Sequence, residues 1–128
     1  METQLPVSDR APARARAAIE DVLLDALSGE RVQDGQLLVS ELVTNSLLHA
    51  GLSSVDSITL VVTVDDRRVR IAVADAGSGF EPRPDPETLR WPFDPWESGR
   101  GLSLVELLAD RWGTVRAGRS EVWFEIDR

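Results

Sequence analysis

Residues 80–98, FEPRPDPETLRWPFDPWES, hold five of the chain's seven prolines. Each proline lacks an amide donor and fixes its own φ, so this stretch cannot form one helix or one central strand. It therefore divides the chain, and regular structure must lie on either side of it. A loop this long in a compact domain is usually a functional lid or is disordered. Trp91, Phe93 and Trp96 argue against plain disorder, which is poor in aromatics.

Before the loop, residues 3–8 fit a short strand, and Pro6 confines it to a sheet edge. Residues 11–27 are Ala-rich, with Pro12 in the first turn, Gly29 behind, and an Ile19, Leu23, Leu27 stripe, which predicts a helix. Asp34 is a candidate N-cap for a second helix reaching about Ala50, with Gly51 behind it. Residues 57–64 alternate, placing Ile58, Leu60, Val62 and Val64 on one face. Asp65-Asp66-Arg67 suits a turn, and residues 68–75 form a second alternating strand. After the loop, residues 101–110 have a helical pattern, and residues 111–117 and 121–127 suit a hairpin around Gly118. Helices and hairpins without βαβ alternation predict an α+β two-layer sandwich. Its sheet is expected to be mixed and mostly antiparallel, with about three helices on one face.

Composition removes several functions. A chain of 128 residues predicts one domain, 1–128. There is no Cys, so disulfides and thiolate metal sites are excluded, and a single His argues against a His-ligated centre. Net charge −8 argues against general nucleic-acid binding. No apolar run approaches a membrane span, and METQLPVSDR has no signal-peptide pattern, so a cytoplasmic setting is expected.

Four constellations remain. In ELVTNSLLHA, Glu41, Asn45 and His49 recur every fourth residue and line one side of the second helix. Leu38 and Leu48 fall in the same arc, so these polar residues either border a polar cavity or mark the solvated edge of an apolar stripe. The strand 68–75 runs into DAGSGF. Asp75 keeps the parity of Val69, Ile71 and Val73 and is expected to point toward the helices, where a carboxylate needs a partner. Gly77 and Gly79 permit close backbone approach, although Asp and Gly also end strands in ordinary turns. Gly99-Arg100-Gly101 opens the last helix, where free N–H groups and a guanidinium suit an anion, or a flexible cap.

The order and spacing of these pieces are more specific than any one of them. ELVTNSLLHA, DAGSGF and GRGLSLVELLAD resemble the N, G1 and G2 boxes of the GHKL ATPase superfamily, whose domain is the Bergerat fold. The resemblance covers about residues 11–127. LLVSELVTNSLLHAG, RGLSLVELLADRWG and VWFEI are particularly similar to the small anti-sigma-factor serine kinases of actinobacterial type.

That resemblance implies ATP and Mg²⁺ as cofactors. It gives Asn45 the metal and phosphate end of the nucleotide, Glu41 the general base, and Asp75 the adenine amino group. It places Gly77 and Gly79 beneath the base, and Gly99, Arg100, Gly101 and Leu102 at the phosphates. Residues 81–98 become the ATP lid, and His49 lies at the edge of the site. The branch usually carries Thr directly before the last strand. Here that position is Glu121, and Ser120 is the hydroxyl one residue away. The implied partners are a sigma factor and a small anti-sigma-factor antagonist that is phosphorylated on Ser, and these kinases commonly pair as dimers. A non-catalytic, nucleotide-dependent binding module and an interaction protein with a decayed pocket are the alternatives. With no Lys in the chain, a phosphate grip must come from Mg²⁺, backbone N–H groups and Arg100.

Overall fold

β1 (Glu2–Pro6) is an edge strand, as Pro6 requires, and it pairs antiparallel with β2 (Ser57–Val64). The structure, a computed structural model, describes residues 1–49, 52–53, 55–75, 101–116 and 120–128. β3 (Arg68–Asp75) lies beside β2, then β5 (Ser120–Asp127), then β4 (Arg111–Arg116) at the other edge. Every pairing among the described strands is antiparallel, where a mixed sheet was expected. The long connection after β3 carries the chain past one sheet position, so β5 and not β4 becomes the neighbour of β3. The β2–β3 turn is fixed by Asp65, whose Oδ1 accepts from the N–H groups of Arg67 at 2.7 Å and Arg68 at 2.9 Å. Those two bonds hold its carboxyl below the usual carboxylate range.

Among the described residues three helices, α1 (Ala11–Ala26), α2 (Gly29–His49) and α3 (Gly101–Leu108), pack over one face. Ala11, Ala15, Ile19 and Leu23 form the buried stripe of α1. They meet Ile58, Leu60 and Val62 of β2, Val69, Ile71 and Val73 of β3, and Phe124 and Ile126 of β5 in one core. Burying each large side chain stabilises the fold by roughly 1.5–3 kcal/mol.

α2 begins five residues earlier than Asp34 suggested. Val32 N–H already donates to Ser28 O at 2.9 Å, so Gly29 belongs to α2 and does not simply close α1. Asp34 instead lies inside the helix, where its carboxylate accepts from Arg31 Nη1 at 2.8 Å. Gly35 is the close-approach position of α2. A Cβ there would lie 2.9 Å from Leu23 Cδ1 and 3.6 Å from Ile126 Cδ1. Ala50 and Gly51, the expected end of this helix, lie outside the described residues, as does Gly118 of the hairpin.

The opposite sheet face is polar and covered by its own side chains. Glu125, 9 % exposed, accepts from Arg111 Nε at 2.8 Å, Arg70 Nη1 at 3.3 Å and Arg68 Nη1 at 3.5 Å. Arg111 also pairs with Asp127. The Arg70 guanidinium stacks 4.0 Å over the Trp123 ring, which lies across Gly113.

Candidate nucleotide site

The site grows from the buried arc of α2. Successive helical residues are about 100° apart, and the residues that reach the core, Val32, Leu38, Val39, Leu42 and Val43, define that arc. Gly35, Val39 and Ser46 lie near its centre, facing the sheet. Leu48 does not belong to it: it is 66 % exposed, which corrects the arc expected from the sequence. The apolar stripe is centred nearer Val39, so Leu48 falls on the far side of the helix. Asn45 lies on the flank of the arc, and Glu41, one turn before it, lies further round and is half-buried.

Asn45 is 4 % exposed, and neither its amide nitrogen nor its amide oxygen has a hydrogen-bond partner among the described residues. A buried polar side chain left this way costs about 1–3 kcal/mol, so its presence calls for an explanation outside the fold. Glu41, half-buried, stands one turn before it. The next residue, Ser46, donates its hydroxyl to Asp75 Oδ2 at 3.4 Å.

Asp75 ends β3 on the inward face, as its parity required, and is 5 % exposed. Its cross-strand partners are Ile58 on β2 and Ser120 on β5. Ser120 therefore shares the inward face with Asp75. Glu121 pairs with Ala74 and faces the opposite side.

α3 carries the chain away from the expected phosphate loop, and its other end is anchored. Arg31 Nη1 donates to Leu108 O at 3.0 Å, and Arg31 Nη2 to Asp110 Oδ2 at 2.9 Å. A cation at a helix C-terminus satisfies its open carbonyls. Asp110 Oδ2 also accepts from the N–H of Asp127 at 2.7 Å, tying α2, α3 and β5 together.

Of the residues expected at the site, the structure brings Glu41, Asn45, Asp75 and Ser120 to one end of the helix–sheet interface. His49 is the last residue of α2, and Gly101 and Leu102 begin α3, but their side chains lie outside the described residues. Gly77, Gly79, Gly99, Arg100 and the lid 81–98 also lie outside them. Ser46 was not among the expected residues. Its signal was available: a hydroxyl at the centre of an otherwise apolar helix arc needs a partner on the sheet.

The donor set suits a hard cation shared with phosphates. Among the described residues no three His, Asp or Glu side chains gather to hold a metal by themselves. An amide oxygen beside substrate phosphates is a fitting Mg²⁺ ligand, because that ion keeps few protein contacts. Among the described residues no helix is long and apolar enough to cross a membrane.

Known proteins agree with this architecture. Residues 5–126 match the histidine kinase-like ATPase domain. The chain is 30 % identical over 123 residues to the serine-protein kinase RsbW of Staphylococcus epidermidis, covering 86 % of this chain and 75 % of that protein. It is 29 % identical over 119 residues to the serine-protein kinase RsbW of Listeria monocytogenes serotype 4a, covering 84 % and 73 %. The catalytic domain of the histidine kinase ThkA superposes with a TM-score of 0.57 at 17 % identity, covering 99 % of this chain and 97 % of that one, a likeness of fold.

Proposed function

This chain belongs to the histidine kinase-like ATPase family, and we propose that it acts as an ATP-dependent protein serine kinase of the anti-sigma-factor type. The observation that carries the reading is the buried amide of Asn45, without a hydrogen-bond partner among the described residues, one helical turn from Glu41 and one residue from the hydroxyl that donates to Asp75. A fold retains such an orphaned group at a cost unless a ligand completes it.

In this reading Asp75 accepts from the adenine amino group, with Ser120 beside it. Asn45 Oδ1 would hold Mg²⁺, and the ion would supply charge neutralisation at the nucleotide phosphates. Glu41 orients a seryl hydroxyl of the protein substrate and takes its proton. The γ-phosphoryl group passes to that oxygen, and ADP leaves. The family resemblance alone assigns His49, Gly77, Gly79, Gly99, Arg100, Gly101, Leu102 and residues 81–98 to nucleotide binding. Residues 1–128 act as one such domain in the cytoplasm.

The relatives from Staphylococcus and Listeria are named serine-protein kinases. By analogy the acceptor is a Ser on a small anti-sigma-factor antagonist, and a sigma factor is the alternative partner, with a dimer as the working unit.

The test is incubation with terminally labelled ATP, Mg²⁺ and a small antagonist protein. Label on an antagonist Ser is expected. Nucleotide binding without label would instead identify a binding module gated by nucleotide. Glu41→Ala is expected to retain nucleotide and to lose transfer by roughly 10²-fold or more, the scale of a general base. Transfer at the wild-type rate would remove Glu41 from that role.

A further inference from the structure

We infer that Ser46 is a positioning residue for base recognition: its hydroxyl orients the Asp75 carboxylate and so sets the preference for a 6-amino purine over a 6-oxo purine. The inference rests on the reading of Asp75 as the adenine acceptor.

Three observations place Ser46 in this role. It lies at the centre of the α2 arc that faces the sheet, between the buried Val39 and Val43 and the orphaned Asn45. Its Oγ is 3.4 Å from Asp75 Oδ2, which joins the helix layer to the end of β3. On the inward face, the β2 neighbour of Asp75 is Ile58, fully buried and without a donor. The helix is thus the layer above the sheet that offers Asp75 a side-chain hydroxyl, while Ser120 flanks it within the sheet.

A carboxylate has two equivalent oxygens and a plane free to turn about χ2. A hydroxyl donating to one oxygen favours one orientation of that plane. An acceptor meets the amino hydrogens of adenine and opposes the carbonyl oxygen of hypoxanthine. Without the hydroxyl, one restraint on that orientation is lost, and discrimination weakens. Because Ser46 follows Asn45 on one helical turn, the base end and the phosphate end of the nucleotide are referenced to the same rigid element.

The test compares the affinities of ATP and ITP, each with Mg²⁺, by calorimetry on the full chain. ITP differs by the carbonyl at the discriminating position. Ser46→Ala is expected to lower the ATP-to-ITP preference by at least about threefold, the scale of one net hydrogen bond. Ser46→Thr, which keeps the hydroxyl, is expected to stay within about twofold of wild type. A merely structural role would weaken both nucleotides together and leave the ratio fixed. An unchanged ratio in Ser46→Ala, or an equal fall in both variants, overturns the inference. Asp75→Asn is the control. If it removes the preference while Ser46→Ala does not, the role of Ser46 fails and the reading of Asp75 stands. If Asp75→Asn leaves the preference intact, that reading itself fails, and the inference with it.

Discussion

Ser120 on β5 is the direct cross-strand partner of Asp75 on β3, so the two side chains share the helix-facing side of the sheet. Glu121, the next residue, projects from the other side beside Ala74. Ser120→Ala is therefore expected to weaken nucleotide binding by about threefold to tenfold, the range for one hydrogen bond at a charged acceptor. Glu121→Ala is expected to leave affinity unchanged. Calorimetric titration of both variants checks the pair, and a larger loss from Glu121→Ala would contradict the register.

Asn45 presents an opposite balance between stability and binding. Its amide is buried with no partner among the described residues. Replacing it with a similar-sized apolar side chain, Asn45→Leu, removes an unsatisfied group and is expected to stabilise the ligand-free protein by about 1 kcal/mol. The same change is expected to lower Mg-ATP affinity at least about tenfold, since a hard cation loses its oxygen ligand. Urea denaturation and calorimetry measure the two effects separately.

Gly113 lies under the Trp123 ring. A Cβ there would stand 2.7 Å from Cζ2, 2.9 Å from Cε2 and 3.0 Å from Nε1. The ring cannot bend, and Arg70 covers it at 4.0 Å. Gly113→Ala is expected to cost about 1–3 kcal/mol by overpacking. The position faces away from the helices, so ATP affinity at a temperature where the variant is folded should match wild type.

Glu125 makes the outer face sensitive to acid. Its hydrogen bond from Arg111, helped by Arg70 and Arg68, holds its carboxyl below the usual carboxylate range, against the opposing effect of burial. A carboxyl whose pKa is lower in the folded chain stabilises the fold above its unfolded pKa, and that contribution is lost as pH falls through the folded value. Glu125→Gln should therefore lower the denaturation midpoint at pH 7, and its gap from wild type should close as pH falls through the lowered folded value of Glu125. A gap that stays constant with pH would show that the ionised carboxylate contributes nothing.

Much of this was legible in the residues. Alternation over 57–64 and 68–75 marked the inner sheet face, and it carried far enough to turn Asp75 inward. Pro6 marked an edge strand correctly. The start of α2 was not read correctly, because Asp34 is a good cap in isolation; its partner Arg31 is only three residues away, but the anchoring of Arg31 on Leu108 and Asp110 needed the fold. Leu48 misled because four-residue spacing defines a stripe without saying which stripe meets the sheet. Ser120 was named from the residues, but which of Ser120 and Glu121 shares a side with Asp75 is decided by the register across β3 and β5. The signal at Ser46, a hydroxyl on an apolar arc, was available, but its partner, 29 residues away, is fixed only by the fold.

One feature of α2 bears on how this protein can change over generations. Glu41, Asn45 and Ser46 sit within six residues of a single continuous helix. Any substitution among them alters one contact. Loss or gain of a single codon between them rotates the groups on either side by about 100° relative to each other and shifts them about 1.5 Å along the axis. No neighbouring loop can absorb that error. Lineages of this chain should therefore drift by replacement within this helix, and not by insertion or deletion between Glu41 and Ser46.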